Sequence, residues 1–142
     1  MEADRDVVAT TSQDDTMTEP RSQSIFLPHR LPNLNDMLAA AKRRHGKWNE
    51  YAEMKAVWHQ TLAAEIRKAK LRPMPCAHVV FRWHEPDRRR DLDGITAGGK
   101  FILDTLVALK ILPTDGWKGM KGLRHEFTVS AFPGVHVMLV KE

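Results

Sequence analysis

The stretch from Cys76 to His84 alternates apolar with polar side chains, then passes through three arginines into Asp91-Leu92-Asp93-Gly94 and a helical pattern. Ala77, Val79, Phe81 and Trp83 fall on one side, with His78, Arg82 and His84 between them. A period of two predicts a strand with one face buried. From Ile95 to about Lys110 the period changes. Ile95, Ile102, Leu106 and Leu109 share one helical face, with Leu103 and Val107 beside it. A strand feeding a helix through a charged junction commits the chain to a mixed architecture with helices packed on a sheet. The glycine pair Gly98-Gly99 weakens that helix by roughly 1 kcal/mol per residue relative to alanine. It also lets a neighbouring backbone approach closely.

The remaining elements fit around this unit. Ser24 to Leu27 reads as a first strand before Pro28, at an edge. Leu31-Pro32-Asn33-Leu34-Asn35 makes a turn, with Asn33 or Asn35 as helix cap. A short helix is predicted from Asp36 to about Arg44, ended by His45-Gly46. A longer one runs from about Trp48 to Lys70, because Tyr51, Met54, Trp58, Leu62, Ile66 and Ala69 recur at three- and four-residue spacing. Its aromatic residues are read as core. Pro73 and Pro75 stop it. Two terminal strands, about Leu123 to Ala131 and Val135 to Lys141, flank Phe132-Pro133-Gly134 and predict a hairpin. The fold class is therefore α/β (α+β), a small mixed sheet with packed helices. Residues 1–22 are polar, acidic and without period, so a disordered tail is expected ahead of a single domain over 23–142.

Charge narrows the partners. Residues 1–21 carry six acids and two bases, so the rest holds 20 basic against 12 acidic residues. Such an excess favours an anionic partner, nucleic acid being the commonest. Cys76 is the one cysteine, which precludes an intrachain disulfide and a zinc knuckle. No apolar run nears the roughly 18 residues a membrane span needs. With no signal-peptide pattern at the N-terminus, a cytoplasmic location is expected.

The chemistry concentrates at the strand-to-helix junction. In an extended segment the carboxylates of Asp91 and Asp93 would fall on one side and could converge on one cation. Asp115, after the helix, would return to the same sheet end. Mg²⁺ prefers carboxylate oxygens and retains waters, so two or three aspartates suffice. A lysine nearby orients phosphate or stabilises a leaving oxygen, and Lys100 is the candidate. Arg88, Arg89, Arg90, Lys118 and Lys121 surround these residues and are the candidate backbone contacts to DNA. The histidines show no His-x-x-x-His pair for zinc, and no phosphate-binding glycine loop is present.

Arg89-Arg90-Asp91-Leu92-Asp93, then Lys100, Asp104 and Asp115, resembles the RusA family of Holliday junction resolvases, small and often prophage-encoded. The resemblance extends to Leu31-Pro32-Asn33-Leu34-Asn35 and to Leu106-Val107-x-x-x-Ile111-Leu112-Pro113-x-Asp115. It covers roughly residues 24–141 and is sharply specific over 89–115. It implies a homodimeric α/β nuclease that uses Mg²⁺ to cut four-way DNA junctions on two strands; Mn²⁺ is the alternative ion, and related branched DNA the alternative substrate. It also implies that Asp91, Asp93 and Asp115 bind the metal, that Lys100 is the active-site lysine, and that Asp104 is the mid-helix aspartate. Two positions depart from the family pattern. Gly94 stands where asparagine is usual, and Lys100 lies three residues later, nearly one helical turn. The alternative reading is a junction-binding protein with a degenerate site.

Overall fold

The computed structural model describes residues 20–141, so the expected tail lies outside the described residues over 1–19. The elements in order are β1 (Ser22–Leu27), α1 (Leu34–Ala41), β2 (Arg44–His45), β3 (Trp48–Asn49), α2 (Glu50–Ala69), β4 (Ala77–Glu85), α3 (Leu92–Thr96), α4 (Gly99–Ala108), β5 (Met120–Val129) and β6 (Gly134–Val140). The expected α/β class is observed. β1 begins at Ser22, the last residue of the segment assigned to the tail.

The sheet has the order β1-β6-β4-β5. β4 and β5 run parallel, with α3 and α4 forming the crossover between them, while β6 is antiparallel to both β1 and β4. The predicted terminal hairpin is therefore corrected. β5 and β6 are separated by β4, and β6, lying between β1 and β4, gains a strand partner on both sides. Phe81 pairs with Val137 and Trp83 with Val135. Leu27 completes the row opposite Val135. At Gly134 a Cβ would lie 2.6 Å from the Leu27 carbonyl oxygen, so β6 can enter beside β1 only with glycine there.

The helices cover one face. Leu62 and Ile66 of α2 and Phe101, Ile102 and Leu106 of α4 join Val79, Phe81, Val137 and Leu139 in one core. Tyr51 and Trp58 pack against it, as expected. Ala69, expected on the same face, is exposed. Asn49 caps α2 by accepting from the Ala52 amide, and Lys70 ends it in the left-handed conformation. The α1 helix is shorter than expected. Asn33 and Asp36 form a reciprocal capping box at its start. The helix ends at Ala41 with Lys42 as its C-cap, so His45-Gly46 lies beyond it and is not what breaks it. Gly46, at φ 58°, turns the chain so that β2 and β3 pair as a two-residue ribbon.

The predicted helix over 95–110 is two helices. The break falls at Ala97-Gly98, where a Cβ on Gly98 would meet the Leu31 Cβ at 2.9 Å and the Pro32 carbonyl oxygen at 3.3 Å. Gly99 rests against the Phe81 ring, at 3.3 Å from a would-be Cβ. The glycine pair thus serves close approach.

β4 and β5 share an aromatic ladder in which His125 stacks on Phe81, with centroids 5.3 Å apart, and on Trp83. Trp83 Nε1 donates to His125 Nδ1 at 2.9 Å, which requires a neutral ring with its proton on Nε2. Burial holds the His125 pKa below its ordinary 6.5. Burial, then the nearby Arg82 and His84, does the same for His136. With the folded pKa depressed, the unfolded chain binds more protons at mildly acidic pH. This stabilisation is present above 6.5 and is lost as pH falls through the lower folded value. Urea midpoints are expected to drop between pH 7.5 and 5.5, and to drop less in His125→Phe. An equal drop in the variant would place the dependence elsewhere.

Candidate functional site

β4 delivers the chain to the junction. Its last residue, Glu85, is only 6% exposed and accepts from Arg30 at 3.0 Å. The following turn closes on Asp87, whose Oδ1 accepts the Arg89 amide at 2.9 Å. Arg90 then reaches back: its guanidinium donates to the Leu31 carbonyl at 2.9 Å and to Asp36 Oδ2 at 3.5 Å. The role of Leu31-Pro32-Asn33 follows. The segment starts α1, seats Gly98, and anchors the arginine loop that presents the aspartates. Arg90 is thus engaged within the fold, whereas Arg88 is exposed and Arg89 is 90% exposed.

Asp91 is the N-cap of α3, in extended conformation, with no side-chain cap bond. Asp93 lies in the first helical turn. The pair therefore straddles a loop-to-helix boundary instead of sharing one side of an extended segment. Both are exposed, and neither carboxylate has an ion-pair partner among the described residues. Asp91 lines an open cleft of about 560 Å³ with Glu85, Asp87, Arg88 and Arg90, against the Phe127 side of β5. A carboxylate at the start of a helix is favoured by the helix dipole. Gly94 faces Asn33, with a would-be Cβ 4.0 Å from the Asn33 Cβ, so the position has room for a side chain.

Lys100 and Asp115 are brought together. Lys100 Nζ lies 3.1 Å from Asp104 Oδ1 and 4.0 Å from Asp115 Oδ2. The hydrogen bond to Asp104, with the charges of Asp104 and Asp115, raises the Lys100 pKa above its ordinary 10.5. The ammonium is therefore held charged across the neutral range. Asp115 sits in a tight turn. Gly116 donates to Thr114 Oγ1 at 3.1 Å, and Gly119 packs so closely on the Thr114 carbonyl that no side chain fits there.

Sequence reasoning passed over Trp117, two residues past Asp115. It is 94% exposed and stands beside the exposed Lys118, with the exposed Lys121 just beyond. Its signal was its context, an aromatic residue in a polar, glycine-rich turn outside any apolar period. Glu85 was missed because the strand pattern was ended one residue early.

Among the described residues no three or more of His, Cys, Asp and Glu are gathered into a group that could hold a metal. Asp91, Asp93 and Asp115 are thus not drawn together into a ready-made centre. The donor chemistry of Asp91 and Asp93 does fit Mg²⁺, which uses one or two carboxylates and retains its waters. No family model matches the chain, and no curated protein matches it.

Proposed function

We propose that the protein is a Mg²⁺-dependent endodeoxyribonuclease that acts on Holliday junctions or related branched DNA as a homodimer. The observation that carries this reading is the pair of exposed, unpartnered carboxylates at the start of α3, with the charged Lys100 linked to Asp115 on the following helix and turn. In this reading Asp91 and Asp93 hold Mg²⁺, with Mn²⁺ as a substitute, and Asp115 is the third carboxylate. When bound, the ion supplies Lewis acidity toward the scissile phosphate. Lys100 donates to a phosphate oxygen and, fixed by Asp104, stays protonated while charge builds on the leaving oxygen. Arg88, Arg89, Lys118 and Lys121 contact the backbone, and Arg90 keeps the loop in place from within. Two copies would match the two strands of a junction that must be cut.

The test is cleavage of a labelled four-way junction beside a linear duplex, with Mg²⁺ or EDTA. Paired symmetric nicks in the junction alone, lost in EDTA, are the expected result. No cutting with any divalent metal would overturn the nuclease reading. The second reading, a junction-binding protein without cleavage, draws on the ungathered carboxylates and on Gly94. It requires tight junction binding that is indifferent to metal.

Trp117 adds a contact of its own. A solvent-facing indole beside lysines suits stacking on an unpaired base, worth roughly 1–3 kcal/mol. Trp117→Ala is expected to weaken junction binding about tenfold and linear duplex binding far less, as read by a gel-shift titration. Equal losses on both substrates would make Trp117 a general backbone contact.

A further inference from the structure

The sheet has two edges, and they differ. β1 is six residues long and lies between Pro20 and Pro28, which limits pairing there. β5 is ten residues long, contains no proline, and pairs only with β4, so its outer row of amide and carbonyl groups has no strand partner among the described residues. Along β5, Leu123 is 50% and Val129 48% exposed, and they share with Phe127 the face that carries the aromatic ladder. On the opposite face Arg124 and Glu126 bond each other at 3.0 Å. Arg82 of β4 bonds Glu126 from behind, also at 3.0 Å.

That spacing is self-complementary. We infer that β5 pairs antiparallel with β5 of a second copy, about a two-fold axis at His125, and joins two sheets into one. An antiparallel pair keeps side-chain faces matched only if residues of equal parity oppose each other. Centred on His125, the pairing sets Arg124 against the second copy's Glu126, and Glu126 against its Arg124. On the other face Leu123 meets the second copy's Phe127. Centring on Arg124 would oppose two arginines, and centring on Glu126 two glutamates, both unfavourable. Of these three registers only the one at His125 crosses the opposite charges; it sets Leu123 against Phe127 and leaves Val129 opposite the second copy's Lys121. His125 itself, kept neutral by burial and by the bond from Trp83, can stand opposite its own copy without charge repulsion. The resulting interface is isologous. It gives the proposed dimer a surface and rests on the proposed function only for its use.

The test is equilibrium sedimentation of the full chain without DNA or metal, so it holds even if the nuclease reading fails. Wild type is expected at twice 16.2 kDa. Arg124→Glu opposes like charges at two symmetric places and should raise the dissociation constant roughly tenfold or more. Leu123→Asp, at the half-exposed position on the other face, should weaken the dimer as well. The triple change Arg82→Glu, Arg124→Glu, Glu126→Arg inverts every ion pair while keeping each one, and should restore the dimer. A wild type that is monomeric throughout, an Arg124→Glu dimer as tight as wild type, or a triple variant that stays apart would overturn the pairing. Capture of a different protein's strand by a monomeric chain would do so too.

Discussion

Asp93→Asn is expected to lower junction cleavage in Mg²⁺ by about a thousandfold, the size of losing a group that stabilises transition-state charge. The change is nearly isosteric, and the Asp93 carboxylate makes no hydrogen bond or ion pair that it would break. Thermal stability and junction affinity should therefore stay close to wild type. Removing a negative charge near the DNA should, if anything, tighten binding slightly. Asp104→Asn is the informative control. Asp104 touches Lys100 at 3.1 Å, so its loss frees the lysine and lowers its pKa while leaving both junction carboxylates untouched. A milder defect, on the order of tenfold, is expected. Single-turnover cleavage of both variants decides the matter. Full activity in Asp93→Asn would move the ion away from this motif.

Phe81→Ala is expected to cost about 3–5 kcal/mol in urea unfolding, the range for deleting a buried aromatic side chain. Phe81 is fully buried. It stacks against both the Trp83 and His125 rings, 5.5 Å and 5.3 Å away, and it is the wall on which Gly99 rests. The cavity would thus open beneath the first turn of α4, which carries Lys100. The midpoint should shift at constant slope, since the surface exposed on unfolding barely changes. A loss under about 1 kcal/mol would mean that the glycine turn closes over the space.

What could be read from the sequence was what is encoded locally. The three- and four-residue spacing in α2, the alternation in β4, the Asn33 cap and the stop at Leu112-Pro113 each depend on neighbours in the chain. The placement of Asp91 and Asp93 at a strand-to-helix junction was equally legible, because the period changes there. What escaped depends on contacts between distant segments. Nothing near Gly98 announces that Leu31 and Pro32 will press on it and split the helix. Nothing in Phe132-Pro133-Gly134 reveals that β4 will stand between the strands on either side. The ionic partners of Arg90 and Glu85, Asp36 and Arg30, lie more than fifty residues away, so Arg90 read as a free DNA contact and Glu85 did not register at all. The site was legible in its residue types and not in its assembly, since spacing fixes where carboxylates fall along a chain but not how closely separate elements bring them.

The position of β6 has a consequence for how the molecule comes together. This strand sits between β1 and β4, yet it is the last strand of the described chain. Among the described residues β1 finds its only strand partner there, with Ser22 opposite Val140 and Leu27 opposite Val135. Such pairings close very large loops, and loop-closure entropy must be met before any contact rewards it. The β4–α3–α4–β5 crossover can form from nearby segments, while the β1 edge waits for β6. Until β6 docks, the sheet stays open at its centre, so β1 is secured only when the described strand most distant from it in sequence has been placed.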